Sequence, residues 1–337
     1  MMDQIEERAT IGAEQMNQLL DRLRRCRQEI GKAVIGQANV IDELLIALIG
    51  GGHVLLEGVP GVGKTLLVRT IATVAGLQFS RVQFTPDLMP ADITGSFVLD
   101  AANGGAAIQF RPGPIFTQML LADEINRATP KTQSALLEAM QEHTVTVGGQ
   151  TMMLPRPLFV LATQNPIEME GTYQLPEAQI DRFLMKSVVA FPTENELDAI
   201  LDLTTGTAQG TPQAIITPAD ILALQELTRA VPIASHVRRA VARFVLATQP
   251  ASPGASPRVT QYVRFGVSPR GAQSVVLAAK AHALLDGRYN VSFSDLQAVL
   301  LPALRHRLQL SFEAIADGIS TESILQETFE RAVEAAA

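Results

Sequence analysis

One cysteine, Cys26, stands in a chain of 337 residues. No internal disulfide is possible, and no thiolate metal cluster either; Cys26 reads as a helix residue that happens to carry a thiol. No apolar run approaches the roughly 20 residues of a membrane span. The opening Met1-Met2-Asp3-Gln4-Ile5-Glu6-Glu7 is acidic where a signal peptide is basic and then apolar, so the expected location is cytoplasmic. The five histidines lack metal-site spacing, and there is no fixed-period repeat or low-complexity tract. What is left is a globular composition, 47% hydrophobic and 18% charged, with length enough for two domains that each bury a core.

Charge is scarce in one region and abundant in another. From Arg229 to Arg307 there are eleven Lys or Arg against two acids, Asp286 and Asp295, giving +9; with a total of −7, the remainder carries −16. A basic segment on an acidic chain suits nucleic acid, or self-assembly in which one subunit's basic region meets a neighbour's acidic one.

The most informative stretch is Gly58-Val59-Pro60-Gly61-Val62-Gly63-Lys64-Thr65. It fits GxxxxGK[ST], with a short apolar strand, His53 to Glu57, before it and a helix, Leu66 to Ala75, after it. Glycines at these positions let the backbone turn so that successive N–H groups and a helix N-terminus converge on one point, where a polyanion can sit. Lys64 is placed for the β- and γ-phosphates of such a ligand, and the Thr65 hydroxyl for Mg²⁺. About 60 residues later Met119-Leu120-Leu121-Ala122 runs into Asp123-Glu124. At a strand end, Asp123 would hold Mg²⁺ through water and Glu124 would orient the attacking water. Thr163-Gln164-Asn165 ends another apolar strand, with Asn165 placed to fall between Glu124 and the γ-phosphate.

Strand, helix and strand alternate from Gly52 to Phe191, the pattern of an α/β fold with a parallel sheet wrapped by helices and ligands at the strands' carboxyl ends. Two hairpins interrupt it: Ser96 to Leu99 with Ala107 to Phe110 around Asn103-Gly104-Gly105, and Thr144 to Val147 with Thr151 to Leu154 around Gly148-Gly149. Beyond Pro192 only helices are expected, and the linker 204–217 and the loop 250–267, rich in Gly, Pro, Ser and Thr, read as the mobile segments. The expected division is an α/β core with an N-terminal helix over 1–192 and a helical domain over 193–337.

Leu120 to Arg127, Gln133 to Glu142, Ala162-Thr163-Gln164-Asn165-Pro166 and Leu175 to Phe183 together resemble the MoxR family of AAA+ ATPases, and the likeness extends over about 34–307. The resemblance implies an αβα P-loop core with a five-stranded sheet in the order 5-1-4-3-2, an all-helical C-terminal lid, and a ring, usually a hexamer, with ATP between subunits. It likens Arg182 to the arginine finger that reaches a neighbour's γ-phosphate, with Arg127 as the rival, and Arg270 to the lid arginine that senses nucleotide in its own subunit. It likens Val34, Ile35 and Gly36 to the segment that packs on adenine, while Val59, Pro60, Val62 and Leu66 complete the loop's contacts. Three functions stay open: remodelling or maturation of client proteins, often ones with von Willebrand factor A domains and sometimes in metal cofactor insertion; a nucleic-acid motor; and a nucleotide-gated binding module. Neither 100–106 nor 144–154 contains Lys or Arg, which leaves the hairpins without a phosphate grip and disfavours the motor.

Overall fold

The computed structural model describes residues 13–100, 107–165, 172–206 and 211–335. The hairpin turn Asn103-Gly104-Gly105, the acidic N-terminus and Pro166 fall outside those ranges. Five strands form one sheet: β1 (Val54–Glu57), β2 (Phe79–Gln83), β3 (Met119–Asp123), β4 (Phe159–Gln164) and β5 (Met185–Val188). All pair in parallel, in the order β5-β1-β4-β3-β2. The register sets Gln83 beside Asp123 and Glu57 beside Gln164, so the polar strand ends share one edge.

Period-2 alternation explains why the strands read as unbroken apolar runs. Leu56, Leu121 and Leu161 enter one hydrophobic cluster, while Leu55, Leu120 and Val160 enter a second on the opposite face. A strand buried on both faces has no solvent side to make polar. The first cluster also takes in the helices Ala13–Gly31 and Ala38–Gly50 and the C-terminal helices. In the N-terminal helix, Leu19, Leu23, Cys26 and Ile30 lie at three- and four-residue spacings and are buried. Burial pushes the Cys26 thiol up to about 12.

Both hairpins form, as Gly95–Asp100 with Ala107–Pro112 and as Thr144–Val147 with Gln150–Met153. The C-terminal part departs from the all-helical expectation. Val263–Phe265 pairs antiparallel with Gln309–Leu310, and Ile233 bridges Val291. Two- and three-residue strands carry no periodicity to detect, and Leu310, expected in a helix, lies past the end of Phe293–Leu304. The loop 250–267 is likewise more ordered than its composition suggested: Ser256 caps the helix Pro257–Tyr262, its hydroxyl accepting from the Val259 N–H. Ser followed by Pro is a helix-start signal, easily read as loop chemistry in such company.

His53 is buried at the start of β1, accepting the Val160 N–H at Nδ1 (3.1 Å), which leaves Nε2 to donate to the Met140 carbonyl (3.2 Å). Burial pushes its imidazole down to about 4, and burial also holds the His306 imidazole well below the ordinary range. These histidines stay neutral in the folded chain while the unfolded chain protonates them, so their contribution is intact above about pH 6.5 and is lost as pH falls toward 4. Acidification across that window should therefore lower the melting temperature. A His53→Gln variant, which keeps a donor and an acceptor without titrating, should show a shallower slope, by at most one proton or about 1.4 kcal/mol per pH unit. Identical slopes would remove His53 from this account.

Candidate nucleotide site

At the carboxyl edge of the sheet lies a cavity of about 360 Å³ lined by Pro60, Gly61, Gly63, Lys64, Thr65 and Leu66 on one side and by Arg81, Asp123, Glu124 and Asn165 on the other. Gly61 and Gly63 adopt φ of 86° and 82°, a conformation that costs side-chain-bearing residues energy. Gly58 is needed for a different reason: a Cβ there would come within 2.9 Å of the Val189 carbonyl. The helix Lys64–Val74 starts at Gly63, so its first N–H groups face the cavity.

The charged groups hold one another. The Lys64 ammonium donates to the Gly58 and Val59 carbonyls at 2.5 and 3.4 Å. Burial pushes its pKa below the ordinary lysine range, with the carboxylates of Asp123, Glu124 and Glu57 pulling the other way. Asp123 Oδ1 accepts from the Thr163 hydroxyl at 2.6 Å, while Oδ2 accepts from Arg81 Nη2 and Nε at 2.6 and 3.1 Å. Thr163 Oγ also accepts the Glu124 N–H at 2.8 Å, joining β4 to the end of β3. Glu124 sits at φ 57°, a left-handed conformation uncommon outside glycine. Its Oε2 receives Gln83 Nε2 at 2.7 Å and Arg127 Nη1 at 3.0 Å.

Asn165 is buried and lines the cavity. Val34, Ile35 and Gly36 do not line it; they border a neighbouring groove of about 750 Å³. Val34 belongs to the core, and a Cβ on Gly36 would strike the Glu196 side chain. Gln37 joins the two regions, its Nε2 donating to the Val62 carbonyl at 2.9 Å. Arg182 and Arg270 lie away from the cavity. Asp181, next to Arg182, is taken by the buried Arg307, whose Nε donates to Oδ1 at 2.6 Å and whose Nη2 donates to the Asp181 and Phe183 carbonyls. No described residue pairs with the Arg182 side chain. Arg270 is exposed in the first turn of Pro269–Leu285, whose cap Ser268 donates to Asp181 Oδ2 at 3.3 Å. The segments bearing the two arginines therefore meet at Asp181.

Residues 53–185 match the model of the ATPase family associated with various cellular activities, and 255–328 match an AAA lid domain. The chain is 43% identical over 315 residues to the chaperone MoxR1 of Mycobacterium tuberculosis, covering 93% of this chain and 82% of that protein. It is 36% identical over 309 residues to protein MoxR of Paracoccus denitrificans, covering 86% and 89%. The chain belongs to the MoxR family of AAA+ ATPases. Among solved structures, one from Cytophaga hutchinsonii described as a putative ATPase superposes with a TM-score of 0.88 at 39% identity, covering 94% of this chain and 96% of that one.

As a MoxR-family ATPase the chain has in this cavity a donor set suited to a hard cation: the Thr65 hydroxyl and the Asp123 carboxylate are both oxygen donors. Sequence reasoning missed Arg81 and Gln83. The alternation of β2, with buried Val82 between them, placed both on one face; nothing local said that this face looks toward Asp123 and Glu124.

Proposed function

We propose that this ATPase requires Mg²⁺, assembles into a ring of subunits, and uses hydrolysis in a chaperone-like role on partner proteins. The observation that carries the catalytic part is the convergence of Lys64, Thr65, Asp123, Glu124 and Asn165 on one cavity. Mg²⁺, held by Thr65 directly and by Asp123 through water, would supply charge neutralisation at the β- and γ-phosphates. In this reading the loop N–H groups and Lys64 bind the phosphates, Glu124 takes the proton of the attacking water, and Asn165 orients that water. Ile35 and Gly36 would face the base. The core is taken as 1–192 and the lid as 193–337, with the chain in the cytoplasm.

The chaperone-like role rests on the relative named as a chaperone, and a von Willebrand factor A domain client on the family resemblance. A hexamer is the expected ring size. Charge and surface support assembly. In the lid, an apolar groove of about 390 Å³ between Val241, Ala272 and Val276 is rimmed by Arg229, Arg238 and Lys280. The helix Glu194–Thr205 buries none of its residues, leaves Leu197 and Leu201 exposed, and carries Glu194, Asp198 and Asp202 beside them. Surfaces that differ but complement one another associate head to tail, which is how rings close.

Salt separates this reading from the nucleic-acid motor. If the basic region serves assembly, the ring and its ATPase should weaken as the Debye length falls from about 10 Å at 0.1 M to about 3 Å at 1 M. Neither single-stranded DNA nor RNA should change the rate. The measurement is ATPase rate and sedimentation at both salt levels, with and without nucleic acid; several-fold stimulation at near-physiological salt would sink protein remodelling in favour of the motor.

A further inference from the structure

Among the described residues two cations line the phosphate cavity, and only Lys64 belongs to the nucleotide motif. The other, Arg81, comes from the edge strand β2 and makes a two-point contact with Asp123 Oδ2. Since Thr163 already donates to Oδ1, both oxygens of the metal carboxylate have partners within the protein. A cation that draws on Oδ2 must share it with Arg81 or displace Arg81. Exposure indicates which group gives way: the Arg81 side chain is 47% exposed and that of Asp123 13%. The acid is fixed and the arginine is free to turn.

We propose that Arg81 is a positioning residue that competes with the divalent cation for Asp123 and, once displaced, turns its charge to the nucleotide phosphates. Charge on the cavity wall gives the reason. Arg127 already pairs with Glu124, so Arg81 is the cation that offsets Asp123; without it the wall loses one positive charge and holds a polyanion less well unless a metal is bound. Arg81 thus lets nucleotide enter before metal and raises the metal concentration needed to complete the site. The same guanidinium also donates to Gln83 Oε1 at 3.0 Å, which aims the Gln83 amide N–H at Glu124 Oε2. Displacing Arg81 therefore loosens one of the partners that hold the catalytic carboxylate, so that metal arrival at Asp123 is felt at Glu124.

The proposal rests on the nucleotide site described above, and its test separates the two. Affinity for a fluorescent ADP is measured with excess Mg²⁺ and with EDTA, for the wild type, Arg81→Met and Arg81→Lys. Wild-type binding in Mg²⁺ checks the nucleotide site itself; only the ratio of the two dissociation constants tests Arg81. In Arg81→Met the EDTA affinity should fall while the Mg²⁺ concentration for half-maximal binding also falls, so that the ratio rises about tenfold, the scale of a two-point, half-exposed charge contact. Arg81→Lys keeps the charge but cannot bridge Asp123 and Gln83, and its EDTA affinity should stay within about twofold of the wild type. A merely structural role for the edge strand would weaken both affinities alike. An unchanged or smaller ratio in Arg81→Met, with the Mg²⁺ requirement unaltered, overturns the proposal.

Discussion

Replacing Glu124 by Gln should leave nucleotide binding intact and lower turnover by about 10² to 10⁴, the usual worth of a positioned general base, or roughly 3 to 5 kcal/mol of barrier. The substitution keeps the shape of the side chain and its place at φ 57° while removing the charge that, in the proposed mechanism, would accept a proton from water. Binding should persist because the proposed phosphate contacts would come from elsewhere, from Lys64 and the loop that carries Gly61 and Gly63. Lys64→Ala should fail in the opposite manner, losing binding itself. The pair is read out by nucleotide affinity and single-turnover phosphate release. A Glu124→Gln protein that hydrolyses ATP at the wild-type rate would mean the base lies elsewhere. Arg127 loses its ion pair with Glu124 in this variant, so an Arg127→Ala control with Glu124 intact separates loss of the base from loss of that contact.

The sheet and its reactive edge were legible because local and global signals coincide there. An unbroken apolar run into Asp123-Glu124 has one sensible home, a strand buried on both faces whose end opens on a cavity, and β3 is that strand. The same holds for the glycines of the loop. Contacts between residues far apart in sequence were not legible. Arg307 reads as one more basic lid residue, yet it is buried and ties Asp181, Phe183 and Leu184 together. Its burial is tolerable only because carbonyls and a carboxylate meet its donors, and all of those acceptors except the Ala303 carbonyl lie more than 120 positions away. The strand pair Val263–Phe265 with Gln309–Leu310 escaped for a related reason: two or three residues hold no period, and only the returning chain defines them.

Arg182→Ala should cost about 10³- to 10⁵-fold in turnover, or roughly 4 to 7 kcal/mol, if its guanidinium reaches a neighbour's γ-phosphate. The geometry within one chain favours that direction of action. Arg182 lies outside its own cavity, no described residue pairs with its side chain, and the acid beside it is already held by Arg307. Arg127, the rival, sits 3.0 Å from Glu124 in its own site, which suits action in cis. A finger supplied in trans makes two further demands. Specific activity should rise with protein concentration as subunits associate. Mixing Arg182→Ala subunits with Lys64→Ala subunits should restore hydrolysis that neither shows alone, because one contributes intact cavities and the other intact fingers. Rings must first be shown to contain both kinds of subunit, for instance by differential labelling and sedimentation. Demonstrably mixed rings that stay inactive would reassign the role to Arg127 or to an arginine acting within its own chain; recovery would fix the order of subunits, with the segment held by Asp181 and Arg307 facing the next subunit's phosphate loop.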